Sequence, residues 1–371
     1  MRILTPLIAA VVAAALSGCC TSRRCEPCNE TEQRYSFDPN ALQMALGRGT
    51  GEYCDMLVLS GGGSHGAWGA GVLRGWRENA QKPRPTFRLV TGVSTGALLA
   101  TYAFLGEPED DELLERAYTT LRTQNVYHDK FLPFALFSDS IKSSTPLKRT
   151  IAKYITTNTL DRVAAAGKAG RELCVGTANL DTGRLVIWDL TRIAADVANP
   201  QRLELYRDVV YASASIPIAV PPVDISGTLY CDGGVRAQLF FVKHFLPAVR
   251  QFKGGLRPSG QQLTVHVIVN GQLGVQTNCV CDHLTDSALK KGILPRTLEM
   301  LLDANANGDL YRVDDFCKEL GARCRMCWIP SDYPQLYSSD DFDPAQMMKL
   351  YEAGRNYGRT NSVWETTIPS P

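Results

Sequence analysis

The pentapeptide Gly92-Val93-Ser94-Thr95-Gly96 fits the pattern G-x-S-x-G and sits between a β-rich run, residues 87–93, and a segment of helical composition, residues 97–105. A serine at such a strand-to-helix turn is forced into a strained conformation, and the flanking glycines let neighbouring backbone come close enough to hold it there. The turn therefore demands a sheet beneath it and a helix behind it. The preceding residues supply the rest of that unit: 56–59 is a short apolar run, a glycine cluster follows, and 66–78 places Ala and Trp at helical spacing. Strand, helix, strand, helix in that order predicts an α/β protein with a parallel sheet. Ser94 falls at a helix N-terminus, where developing negative charge is favoured.

The cluster Gly61-Gly62-Gly63-Ser64-His65-Gly66 formally satisfies G-x-G-x-x-G between a strand and a helix. Three readings of it stay open. A dinucleotide site would also need an acidic residue about 20 positions on, at the end of the next strand, and that strand ends in Gly92-Val93-Ser94. Backbone amides converging at a helix N-terminus could instead stabilise an oxyanion. A tight turn allowing close helix packing, beside Ala67, Ala70 and Gly71, is the third. A neutral serine is a weak nucleophile, so a base must lie beside Ser94. Of the later histidines, His128, His244, His266 and His283, none has a telling local sequence, and His266 reads as a strand histidine within the run 263–270. Asp232 is the sharper candidate. It closes the run 228–231 and precedes Gly233 and Gly234, which places a carboxylate at a strand end, although Asp-Gly is also an ordinary turn pair.

Taken in order, the Gly61–Gly66 cluster, Gly92-Val93-Ser94-Thr95-Gly96 and Asp232-Gly233-Gly234 resemble the three motifs of patatin-like phospholipases. The resemblance runs from about residue 56 to about residue 360. It is densest in 60–105 and 212–241, where Ser213-Ala214-Ser215-Ile216-Pro217 and Pro221-Pro222 lead into Asp232. It implies a three-layer α/β/α fold with a mainly parallel central sheet. It also implies Ser94 as nucleophile, Asp232 as its partner in a Ser-Asp dyad, and the Gly61, Gly62 and Gly63 amides as oxyanion hole, with Gly66, Gly92, Gly96, Gly233 and Gly234 in support. The implied activity is hydrolysis of phospholipid or related lipid esters, with no cofactor, no metal and no catalytic histidine. Such a dyad needs a desolvated Asp232, since a solvated Asp with a pKa of about 3.9 is a weak base for an alcohol. Family members commonly carry Arg or Lys where this chain has His65. A generic carboxylesterase or thioesterase, and a non-catalytic envelope lipoprotein binding lipid or a protein partner, are the rival readings.

The N-terminus is a separate object. Residues 3–16 are almost continuously apolar, preceded by Arg2 and followed by Ser17 and Gly18, which reads as a secretory signal too short for the roughly 20 residues that cross a bilayer. Leu16-Ser17-Gly18-Cys19 resembles the lipobox of bacterial lipoproteins, which implies lipidation of Cys19 and a membrane anchor. Residue 20 is Cys and not the Asp that resembles an inner-membrane retention signal, so the expected destination is the outer membrane, facing the periplasm. The expected organisation is a signal over 1–18, a lipidated N-terminus and flexible tether over 19–51, and one acyl hydrolase domain over 52–371. Twelve cysteines suit an oxidising compartment. Disulfides are favoured over metal for Cys25 with Cys28, Cys279 with Cys281, and Cys317, Cys324 and Cys327, while Cys174 and Cys231 read as buried. With 39 Lys and Arg against 38 Asp and Glu and no basic block, nothing suggests a nucleic-acid surface.

Further helices are expected over 109–122, from Thr145, and over 295–305 and 344–355, and strands over 173–178, 185–188 and 263–270. The apolar cluster Phe131, Leu132, Phe134, Leu136 and Phe137 reads as a lid or as core.

Overall fold

The computed structural model describes residues 29–38, 53–129, 142–143, 145–217, 219–241, 262–273, 293–334, 336–360 and 364–368. The signal, Cys19, Cys25, Cys28, Cys279, Cys281, His244, His283 and the cluster at 131–137 lie outside the described residues.

The strands are β1 (Tyr53–Leu59), β2 (Leu89–Gly92), β3 (His128–Asp129), β4 (Lys142–Ser143), β5 (Glu172–Asn179), β6 (Leu185–Asp189), β7 (Val223–Ile225), β8 (Thr228–Asp232), β9 (Gln262–Gln272) and β10 (Arg323–Ile329). Eight of them form one sheet in the order β10-β9-β1-β2-β5-β8-β7, with β6 also paired to β5. From β10 to β5 the neighbours are parallel, and β6, β7 and β8 join antiparallel. β3 and β4 make a separate two-residue ribbon. Along β1, Met56 and Val58 pack into one buried cluster with Val265, Val267 and Met326, while Leu57 and Leu59 pack into another with Val90, Val175 and Ile268. A strand buried on both faces must be covered on both, which makes the molecule three-layered. Each such side chain, fully buried, contributes about 1.5–3 kcal/mol.

The helices are α1 (Glu30–Tyr35), α2 (Gly66–Glu78), α3 (Thr95–Leu105), α4 (Pro108–Thr120), α5 (Thr123–Val126), α6 (Thr145–Tyr154), α7 (Thr157–Lys168), α8 (Leu190–Ala195), α9 (Arg202–Ser213), α10 (Ile293–Leu320) and α11 (Pro344–Thr360). The cluster around Leu57 and Leu59 is covered by α2–α9 and α11, and the opposite one by α10 with Leu239, Phe240 and Phe241. The expected helix over 295–305 runs on to Leu320. Leu310, Val313, Phe316 and Cys317 recur at helical spacing and are buried, so packing carries the helix past Asn305 and Gly308. No helix among the described residues is long and apolar enough to cross a membrane. Cys317, Cys324 and Cys327 are buried free thiols, so the disulfides expected among them are not formed; Cys317 and Cys324 pack in the α10 layer and Cys327 in the other.

Part of the stretch expected to be a flexible tether is folded. Asn29 caps α1, its side chain accepting from the Glu32 amide at 2.6 Å. Tyr35 enters the core, and the buried Glu32 carboxylate accepts from Tyr230 Oη at 2.5 Å and from Asn179 Nδ2 at 3.0 Å. Residues 29–38 therefore belong to the body: the buried Glu32 carboxyl and its two donors anchor the segment, because removing either side would leave the other buried and unpaired.

Candidate active site

β2 ends at Gly92, and two residues later Ser94 has φ 56° and ψ −126° at the start of α3. That backbone region costs a residue with a side chain about 1–3 kcal/mol. The surroundings hold it: Gly96 N donates to Val93 O at 2.8 Å, Ala97 N to Ser94 O at 2.9 Å, and Ser94 N to Ser213 Oγ at 3.0 Å. Ser213 Oγ in turn donates to Gly176 O at 2.7 Å. A Cβ on Gly92 would strike Gly96 O, and one on Gly96 would lie 2.5 Å from Leu59 O and 2.6 Å from Ser60 O. Both glycines of the pentapeptide are thus required by close approach.

The sheet brings Asp232 to this turn from a strand that runs the other way. β5 pairs with β2 through its first half, Gly92 lying opposite Val175, and with β8 through its last three residues, Asp232 lying opposite Thr177. Asp232 therefore stands two positions beyond the level at which β2 stops. The Ser94 hydroxyl lies close enough to the Asp232 carboxylate to draw its pKa down. Gly234 N donates to Asp232 Oδ1 at 2.7 Å, and Asp232 N to Ser215 O at 2.9 Å. Ser213 and Ser215, at the end of α9, thus hold one backbone amide each, those of Ser94 and Asp232. Burial pushes the Asp232 carboxyl up to about 7, against the opposing pull of the Gly234 amide and the Ser94 hydroxyl.

The glycine turn lies beside them, a Cβ on Gly61 coming 3.1 Å from Ser94 Cβ. Gly62 and Gly63 have φ of 146° and 55°, which only glycine adopts readily. The three amides expected as oxyanion donors are not equivalent: Gly61 N donates to Gln238 Oε1 at 3.0 Å. Those of Gly62 and Gly63 have no acceptor among the described residues. The turn is braced by Asn270, whose Nδ2 donates to Ser60 O at 2.8 Å, and by Ser339, whose carbonyl accepts from Ser64 N at 2.9 Å. Burial lowers the His65 pKa to about 4, so the ring is neutral, and its Nε2 lies 2.7 Å from Tyr337 O. At the position where the family commonly has a cation, this chain has an uncharged strut. Gly66, Gly233 and Gly234 are likewise packed tightly, against Thr95, Gly176 and Gln238.

His266 is a buried strand residue opposite Leu57, hydrogen-bonded to Asp55 at 2.7 Å and walled by Trp76, Phe87 and Trp364, so it takes no part in the Ser94 site. Among the described residues no three His, Cys, Asp or Glu side chains converge as a metal site. A cavity of about 330 Å³, lined by Lys82, Asp314, Lys318 and Arg323 among others, opens at the opposite, N-terminal edge of β10, away from Ser94. Sequence reading missed Gln238, Asn270 and Asn305, since no local pattern marks a side chain whose partner is far along the chain.

The sequence model of the patatin-like phospholipase family matches residues 57–241, about half of the chain. No curated protein sequence matches. Among solved structures, the crystal structure of VipD from Legionella pneumophila is similar at 13% identity, covering 82% of this chain and 67% of that one with a TM-score of 0.38. With its three motifs drawn together around Ser94 and the family match running from β1 to just beyond Asp232, this chain belongs to the patatin-like phospholipases, a family of lipid acyl hydrolases.

Proposed function

We propose that the protein is a phospholipase A-type hydrolase of phospholipid or related lipid carboxylic esters, working through a Ser94-Asp232 dyad. We further propose that it is exported and anchored through a lipidated Cys19 in the outer membrane, facing the periplasm. The observation that carries the catalytic reading is the convergence of Ser94, strained at its turn, with the buried Asp232 carboxyl, which burial pushes up to about 7. Ionised Asp232 takes the hydroxyl proton as Ser94 Oγ attacks the ester carbonyl. The tetrahedral oxyanion is received by the Gly62 and Gly63 amides, aided by the N-terminus of α3. Collapse expels the alcohol, to which Asp232 returns the proton, and leaves an acyl-serine. Water, deprotonated by Asp232, then releases the fatty acid. A base of pKa near 7 is about half ionised at neutral pH and accepts a proton far better than a solvated carboxylate.

Treatment with a fluorophosphonate probe and mass spectrometry of the labelled peptide tests the reading. Ser94 is expected to carry the label, Ser94→Ala to lose phospholipid hydrolysis, and Asp232→Asn to lose about 10²–10⁴-fold in rate. Full activity in Ser94→Ala would sink the mechanism, and an unlabelled, folded wild type would favour the non-catalytic lipoprotein. His266→Ala is expected to keep its activity per folded molecule; a collapse there would restore a triad. Rates on phospholipid, lysophospholipid and short p-nitrophenyl esters separate a phospholipase from a general esterase. The anchor is tested by Cys19→Ser, which should release the protein from membranes.

A further inference from the structure

We infer that Gln238 is a positioning residue for this reaction: its side-chain amide spans the glycine turn and the Asp232 turn and fixes the oxyanion donors relative to the dyad. The inference rests on the Ser94-Asp232 reading above. Gly61 and Gln238 are 177 residues apart, yet the Gly61 N–H donates to Gln238 Oε1 at 3.0 Å in a buried setting. Because that donor must face an oxygen, the orientation of the Gln238 amide is decided, and its Nε2 points the other way. There it lies 2.5 Å from the point where a Gly234 Cβ would sit, a point 3.0 Å from Asp232 Oδ1. One planar group thus touches the first motif with its oxygen and borders the third with its nitrogen.

The Gln238 backbone is itself held. The buried Asp309 carboxylate accepts from Gln238 N at 2.7 Å and from Leu239 N at 3.2 Å, and Asp309 is paired with Arg312 at 2.6 Å. One turn earlier on α10, Asn305 Nδ2 donates to Gly234 O at 3.2 Å. Helix α10, which lies wholly beyond the family-matched segment, is therefore the rail on which this loop sits. Engaging the Gly61 amide also has a chemical effect. With its N–H bound to Gln238 and its carbonyl accepting from Ser60 Oγ at 2.7 Å, the Gly61 residue is held from both sides, and the Gly62 and Gly63 amides that follow, without an acceptor among the described residues, inherit a set direction. Donors aimed in advance at a developing oxyanion act on the transition state and little on bound substrate.

The test uses the purified full chain with a short chromogenic ester and the fluorophosphonate probe. Gln238→Met removes the acceptor and the amide nitrogen at similar length. Its kcat is expected to fall about 10–100-fold, less than the roughly 10²–10³-fold of losing an oxyanion donor outright, with KM within about threefold and labelling of Ser94 slowed in step. Gln238→Glu keeps an acceptor for the Gly61 N–H but sets a charge beside Asp232, so the rising limb of its pH–rate profile should move up by about one unit. The other groups facing Asp232 are the Ser94 hydroxyl, the Gly234 amide and the Cys231 thiol, the last pushed up to about 12 by burial and so uncharged in this range. If Gln238→Met labels Ser94 at the wild-type rate, or loses only KM or thermal stability, the positioning role is refuted while the dyad stands. If Gln238→Met does not fold, an unmoved pH profile in Gln238→Glu refutes it alone. An unlabelled wild type, or an active Ser94→Ala, removes the dyad and this inference with it.

Discussion

At Asp232 the burial that raises the carboxyl pKa also sets how the site responds to pH. The ionised form is the base, and the folded carboxyl titrates at about 7, so kcat/KM should rise through about pH 7 and level off above it. A pH–rate profile checks this, and the rise should vanish in Asp232→Asn. A profile already flat from pH 5 would mean that no group of raised pKa serves as base. Ser94 was legible in the sequence because its strained turn needs only its immediate neighbours, and glycine at 92 and 96 is the local signature of that need. Asp232 was legible as a position, since a strand-end carboxylate before two glycines is a short pattern. Its proton affinity was not legible, because desolvation comes from chain segments brought in by the sheet.

Among the elements, α2 and α11 cross in close backbone contact. A Cβ on Gly71 or Gly75 would strike the backbone of Tyr351 or Arg355, and one on Gly354 or Gly358 would strike that of Trp68 or Val72. Four glycines, spaced four apart on each helix, let the two backbones touch, and Arg355 closes the crossing with a two-point ion pair to Glu78 at 2.9 and 3.0 Å. Gly75→Ala is expected to destabilise the fold by about 1–3 kcal/mol despite the better helix propensity of Ala, because the added methyl meets backbone that cannot give way. A denaturant midpoint at or above that of wild type would show the crossing to be looser than described. The helical spacing of 66–78 is legible in the sequence, and Gly71 reads there as one sign of close helix packing, without its partner. Which partner comes close depends on residues about 280 positions away.

For the whole molecule, a carboxyl pair at the start of β5 and the end of β6, Glu172 half-buried and Asp189 buried, adds to the pH dependence of stability alongside Asp232. Burial, and then the charge of Asp189, push Glu172 up to about 7, and burial raises Asp189 as well; Thr191 Oγ1 donates to Glu172 at 3.0 Å. The folded protein binds the Glu172 proton more tightly than the unfolded chain, whose carboxyl titrates at about 4.5. This contribution to stability is complete below about pH 4.5 and is lost as the pH rises through about 7. Glu172→Gln should therefore unfold at a higher temperature than wild type at pH 8, and the advantage should shrink or disappear at pH 4. An equal shift at both pH values would show that the carboxyl does not carry the effect.

Residues 29–38 show where local reading stops. Their polarity and the prolines around them suggest a tether, yet Tyr35 and Glu32 find the core and the β5–β8 pair. By itself the sequence determined the strand-turn-helix around Ser94, the glycine turn before it, the place of Asp232 and the α/β order of the first elements, because each follows from neighbouring residues acting on their own backbone. The tertiary structure alone decided that Gln238 takes the Gly61 amide, how strongly Asp232 holds a proton, and that α10 supports its loop through Asn305 and Asp309. Those properties are set by desolvation and by hydrogen-bond partners that only the folded chain brings within reach.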